Sequence, residues 1–172
     1  MSALDVLRHA DRGPGSALSP AGEAAARALA GTPYRLVVSS PLERAKRTAE
    51  LIAGRLDAME PGLLPDIGGT EVFGPMPTLA DWRALLGEPR ARAFADEQLA
   101  TWARIAQRVG PDDRVLAISH GGIIELPIVA LADRLRVRID GPSFGFLEGA
   151  RITYVNDTPT AVELLRRATP RR

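Results

Sequence analysis

This chain of 172 residues has two histidines, and each stands beside residues that make an imidazole useful. His9 follows Arg8 at the end of the apolar run Ala3–Leu7, and His120 ends the run Val115–Ser119, just before Gly121-Gly122. A third polar cluster, Ser39-Ser40-Pro41-Leu42-Glu43-Arg44, closes the apolar run Leu36–Ser39. A neutral ring nitrogen can act as a nucleophile while the other is held by a hydrogen bond. Arginine offers planar, paired N–H donors that suit phosphate oxygens. Together these residue types describe a phosphate pocket with a histidine inside it.

Such a pocket needs elements that bring three distant segments to one place. Each cluster lies where an apolar strand gives way to a loop or helix, and in an open α/β sheet that edge is where ligands bind. Ser19-Pro20 starts a helix, with serine as cap and proline in the first turn, over Ala21–Ala30. Ser40 to Glu43 fits a capping box, for a helix running to Ala53 and stopped by Gly54. The order strand, helix, strand, helix predicts parallel βα units. From Asp57 to Pro77 the chain is rich in Pro and Gly and is expected to be a long functional loop, with a short strand at Leu63–Leu64. Thr78 opens a helix to Leu86, and Arg90–Val109 forms a longer one on the stripe Phe94, Leu99, Trp102, Ile105 and Val109. After the strand Val115–Ser119, a helix is expected over Gly121–Ala132 and a strand over Leu135–Ile139. Arg151–Val155 and Ala161–Leu165 flank the turn signal Asn156-Asp157-Thr158-Pro159 and predict a hairpin. The basic tail Arg166–Arg172 is expected to fray. The fold class that follows is α/β, a mostly parallel sheet between helices, in one domain over 1–172 whose residues 57–109 form a loop and lid region.

Composition narrows the function classes. An apolar fraction of 45% with 25% charged residues is ordinary for a globular chain and allows a core without staples. A net charge of +1 gives no overall field toward nucleic acid or membrane, so neither partner is expected. Without cysteine there is no disulfide and no thiolate metal site, and two separated histidines disfavour a histidine metal site, so no metal and no cofactor are expected. No apolar stretch approaches membrane-spanning length, and the first residues lack the pattern of a secretion signal. The expected compartment is the cytoplasm.

At these residues the chain resembles the histidine phosphatase superfamily, with its phosphoglycerate mutase-like, three-layer α/β/α fold. That family opens with a strand ending in Arg-His-Gly, then a Leu-Thr-x-x-Gly helix start, a Ser-Ser-Pro-Leu-x-Arg-Ala segment, and a late Ser-His-Gly. The counterparts here are Arg8-His9-Ala10, Leu18-Ser19-Pro20-Ala21-Gly22, Ser39 to Ala49, and Ser119-His120-Gly121, in the same order. The resemblance implies that His9 is the nucleophile that becomes phosphohistidine. It implies that Arg8, Arg44 and His120, with Gly121, bind the phosphoryl oxygens. The family's proton donor is a glutamate in a Leu-x-Glu segment; here Leu64-Pro65-Asp66 takes that place, so Asp66 is the first choice for general acid and Glu71 the second.

Three functions follow as expectations. The first is a phosphomonoester hydrolase acting through phosphohistidine on a small phosphorylated substrate. The second is a phosphoglycerate mutase-type phosphoryl transferase, and the third a non-catalytic phosphate-ligand binder. The modest insertion between Gly54 and Val109 favours an open site and hence hydrolysis. Trp82 and Trp102 read as core or lid packing, and Arg12, Arg83 and Arg90 as surface arginines. Gly141-Pro142-Ser143-Phe144-Gly145 matches the G-x-S-x-G elbow of serine hydrolases, but both histidines precede Ser143 and no helix is expected after it, so the match is read as chance.

Overall fold

The computed structural model describes residues 1–64 and 75–167. Asp66 and Glu71, both candidate proton donors, lie outside the described residues. Six strands form one sheet: β1 (Ser2–Arg8), β2 (Leu36–Ser39), β3 (Ala58–Met59), β4 (Arg114–Ser119), β5 (Gly149–Val155) and β6 (Thr158–Leu165). Their spatial order is β3-β2-β4-β1-β5-β6. The pairs β3–β2, β2–β4 and β4–β1 are parallel, while β5 runs against β1 and β6 against β5. Among the described residues the α-helices are α1 (Pro20–Arg27), α2 (Glu43–Ala53), α3 (Leu79–Leu85), α4 (Pro89–Ala106) and α5 (Glu125–Arg134).

Strand alternation sorts the core into two layers. Leu4, Val6, Val38, Val115 and Ala117 face a large cluster with Trp82, Trp102 and the apolar residues of α5. Leu7, Val37, Leu116 and Ile118 face a smaller cluster with Ala26 of α1 and Ala45, Ala49 and Ile52 of α2. This is the expected three-layer arrangement. It accounts for the unbroken apolar runs of the inner parallel strands, which are covered on both faces. The one charged side chain inside this run is Asp5, held by Arg151 Nε at 2.7 Å and Nη2 at 3.0 Å and by the Tyr34 hydroxyl at 3.0 Å. Among the described residues, no helix is long and apolar enough to cross a membrane.

Local chemistry explains both agreements and corrections. Ser19 caps α1 by accepting from the Gly22 N–H, with Pro20 in the first turn. Thr78 and Asp81 form a reciprocal capping box on α3. The turn between β5 and β6 places Asn156 and Asp157 at φ 47° and 62°, as a two-residue type I′ turn requires. The short strand expected at Leu63–Leu64 is absent. Glu60 and Pro61 start a 3-10 turn over Pro61–Leu63, and the strand lies earlier, at Ala58–Met59. The helix expected at Gly121 starts four residues later, because Gly122 has φ 86° and cannot join a right-handed helix. Residues 135–139 form no strand; the Val137 N–H returns to the Ala132 carbonyl and closes the end of α5 instead. Arg166 and Arg167 are not frayed: both are tied to Glu148.

Candidate active site

The parallel strands β1, β2 and β4 end at one edge of the sheet, and each delivers its polar cluster there. Arg8 pairs with Ser119 in register, so Arg8-His9 and Ser119-His120 leave adjacent strands side by side. The His9 N–H donates to the Ser119 carbonyl at 3.0 Å, and the two imidazole centroids lie 5.2 Å apart. Arg44, in the first turn of α2, reaches across and donates from Nε to His9 Nε2 at 3.1 Å. The structure therefore brings together Arg8, His9, Arg44 and His120.

His9 is 4% exposed and its ring orientation is determined by its bonds. Nδ1 lies 2.7 Å from the Ala10 carbonyl, which can only accept, so Nδ1 carries the proton. Nε2 is then a lone-pair nitrogen, as the bond from Arg44 also requires. Burial pushes the His9 pKa down to about 4, and the charges of Arg44, Arg8 and Arg12 act in the same direction. The loop after the ring is fixed by Thr48, whose hydroxyl accepts from the Ala10 N–H at 3.0 Å and donates to the Arg44 carbonyl at 2.7 Å.

Arg8 is half-buried and donates from Nη1 to the Phe144 carbonyl at 2.8 Å. Its guanidinium carbon sits 4.3 Å from the centre of the Phe146 ring, a cation–π distance. Phe146 also flanks His9, with centroids 5.8 Å apart. Gly121 packs against Arg8: a Cβ there would come within 2.7 Å of Arg8 Nε. Glu125 is 1% exposed and braces this corner. Its carboxylate accepts from the Gly122 N–H at 2.9 Å and the Phe144 N–H at 3.2 Å. Burial raises the Glu125 pKa, while those N–H bonds and the Arg8 charge oppose the rise.

His120 has Nε2 at 2.6 Å from the Ser40 hydroxyl. Burial, then the charges of His9, Arg44 and Arg8, hold its pKa down to about 3. Two buried polar atoms at this edge, Arg8 Nε and His120 Nδ1, have no hydrogen-bond partner among the described residues. Buried groups of this kind are ordinarily satisfied, and these two stand in a cluster of cations and neutral imidazoles suited to an anion's oxygens. Among the described residues, no three histidine or acidic side chains gather closely enough to hold a metal ion.

The capping box expected at Ser40–Glu43 does not form, since α2 has Leu42 at its cap position with no side-chain bond. Ser40 is drawn to His120 instead. Sequence reasoning missed Ser40, Thr48, Phe146 and Glu125 as site residues. Ser40 and Thr48 lie inside the segment that flagged Arg44, whereas no spacing signal marks Phe146 or Glu125. Arg83 is held by Asp133 and the Ile139 carbonyl, and Arg12 is exposed on the loop after His9. Ser143 is structural: its hydroxyl accepts from Trp82 Nε1 at 2.7 Å and donates to the Met76 carbonyl.

Both histidines bind their protons less tightly in the folded chain than at the ordinary value of 6.5. The unfolded chain therefore takes up protons that the folded chain refuses as the pH falls below that value, and stability declines. At about 1.4 kcal/mol per pH unit, each ring accounts for a loss on the order of 3 kcal/mol by pH 4. Urea midpoints measured from pH 7.5 to 4 should fall steadily, and a His9→Ala variant should show a shallower fall.

Residues 6–68 match the family model of the histidine phosphatase superfamily (branch 1). A search of curated proteins gives no match. Among solved structures, the chain resembles a phosphoserine phosphatase from Entamoeba histolytica in complex with 3-phosphoglyceric acid. The identity is 18%, with 99% of this chain and 98% of that one covered and a TM-score of 0.66. It resembles a phosphoglycerate mutase from Bacillus anthracis at 18% identity, covering 95% and 92%, with a TM-score of 0.64. A mycobacterial glucosyl-3-phosphoglycerate phosphatase complexed with VO3 aligns at 20% identity over 97% and 99%, with a TM-score of 0.56.

Proposed function

On the premise that this chain carries a histidine phosphatase signature on a phosphoglycerate mutase-like fold, we propose that it is a metal-independent phosphomonoester hydrolase. The observation that carries this reading is the state of His9: a neutral imidazole with its lone pair on Nε2 and three guanidiniums around it. In this reading His9 Nε2 attacks phosphorus and the bond to the ester oxygen breaks, giving a phosphohistidine and an alcohol. The Arg44 bond to Nε2 opens as Arg44 turns to the phosphoryl oxygens. Arg8, Arg44, His120 and the backbone at Gly121 hold those oxygens and the charge that spreads over them, the main lever in phosphoryl transfer. Asp66, with Glu71 second, gives its proton to the leaving oxygen. Water then attacks phosphorus, the P–N bond breaks, the water's proton returns to the carboxylate, and inorganic phosphate leaves. The solved relatives named for phosphatase activity on small phosphorylated molecules support the same substrate class.

The test is a panel of phosphomonoesters with released phosphate measured, joined to an alkaline quench that traps acid-labile phosphate on the peptide containing His9. Hydrolysis with a trapped phosphohistidine is the expected result. Isomerisation of phosphoglycerate with little hydrolysis would point to a mutase. Phosphate binding with no turnover on any ester would point to a binding protein.

The pH profile gives a second expectation. Since His9 holds a proton only below about 4, the nucleophile is present throughout the neutral range. After correction for the substrate's own ionisation near ~6, kcat/KM should lose its nucleophile only as the pH falls through about 4. An enzyme-derived acid limb centred near 6.5 would contradict the reading.

A further inference from the structure

Ser40 is fully buried at the end of β2, and its hydroxyl lies 2.6 Å from His120 Nε2. A hydroxyl has one proton to give. On its acceptor side Ser40 Oγ receives the Leu42 N–H at 3.4 Å, and among the described residues it has no other acceptor within bonding range than His120 Nε2. The proton therefore goes to Nε2, which must present its lone pair, and a neutral ring then carries its own proton on Nδ1. That nitrogen is buried with no partner among the described residues, at a cost of about 1–3 kcal/mol until an acceptor arrives. Histidine in water prefers the opposite tautomer, with the proton on Nε2. Burial keeps His120 neutral, so protonation does not supply both N–H groups at once.

Resting on the hydrolase reading above, we propose that Ser40 is a positioning residue that locks His120 as the Nδ1–H tautomer, so that this N–H donates to a phosphoryl oxygen. Without Ser40 the ring reverts to Nε2–H and Nδ1 aims a lone pair at the anion. The feature read from the sequence as a helix cap is thus a tautomer lock.

Two measurements on the full chain decide the matter. Long-range ¹H–¹⁵N NMR of the His120 ring at neutral pH should show Nδ1 protonated and Nε2 bare in the wild type, and the reverse in Ser40→Ala. Steady-state kinetics of the same variant should show kcat/KM lowered about 10²-fold, the usual effect of losing one donor to a developing oxyanion, with a parallel loss of vanadate affinity. Ser40→Thr, which keeps the hydroxyl, should restore both the tautomer and most of the rate. A wild-type ring protonated on Nε2, or a Ser40→Ala ring that keeps the wild-type tautomer, overturns the proposal, and so does unchanged turnover in a Ser40→Ala ring that has reversed. If the ring reverses as expected while the wild type neither turns over phosphomonoesters nor binds vanadate, the hydrolase reading fails and the ring assignment stands.

Discussion

Replacing His9 with alanine is expected to lower kcat/KM by at least ~10³-fold, the scale of losing a covalent nucleophile. On the proposed mechanism the change removes the attacking nitrogen while leaving the other residues around it in place. Arg8 keeps its bond to the Phe144 carbonyl, and His120 keeps Ser40. Arg44 loses an acceptor in the ring and is freed for the ligand. Inorganic phosphate should therefore still bind to His9→Ala, with an inhibition constant close to that of the wild type, although the chemical step is gone. Both quantities come from one set of steady-state assays with phosphate as inhibitor. Turnover within tenfold of the wild type would mean that a different group attacks phosphorus.

Glu125→Ala is expected to damage both stability and binding, although among the described residues Glu125 bonds to the Gly122 and Phe144 N–H groups and not to either histidine or either site arginine. The Phe144 peptide is held at both ends: its carbonyl accepts from Arg8 and its N–H donates to Glu125. The same carboxylate holds the Gly122 N–H in the turn after His120. Removing it strands two N–H groups at about 1–3 kcal/mol each, and Arg8 loses the carboxylate that contributes most to holding its charge. A loss of about 3 kcal/mol in unfolding free energy follows, along with at least a ~10-fold rise in KM for a phosphomonoester, since a misplaced positioning group weakens the grip on the anion. Glu125→Gln supplies one carbonyl oxygen where two N–H groups need acceptors, so it should recover only part of each effect. Denaturant unfolding and KM measured on both variants provide the check. A Glu125→Ala protein with wild-type stability and KM would show that the brace contributes nothing.

Much of this site was legible in the sequence, because its parts lie at the ends of apolar runs. Arg8 and Ser119 end, and His9 and His120 directly follow, strands whose interiors are apolar apart from Asp5, and parallel pairing then brings the strand ends together. Arg44 was legible from its place in the first turn after β2. Phe146 and Glu125 were not, since they reach the site through tertiary packing: Phe146 from a loop after α5 and Glu125 from the start of that helix. Ser40 was visible but misassigned, because a serine three residues before a glutamate satisfies a local capping pattern and nothing local reveals an imidazole across the sheet. The start of α5 was misplaced for a related reason. The apolar run continues through Gly122, and only its left-handed backbone stops the helix there. Asp66 and Glu71 rest on their sequence positions.

The direction of β5 has a consequence for how such a protein can change over evolution. Because β5 runs against β1, the chain returns to the sheet at the edge where β1 leaves it, and the Arg8 N–H and carbonyl are bonded to Glu148 and Leu147 just before the new strand. One wall of the pocket is thus fastened to the scaffold by ladder bonds and has little freedom to drift. The 3-10 turn over Pro61–Leu63 meets the same strand ends through a single side-chain bond, from the Ser119 hydroxyl to the Leu63 carbonyl. On the proposed function, selection could vary contacts to the ester elsewhere while this ladder-bonded side, with Arg8, stays fixed.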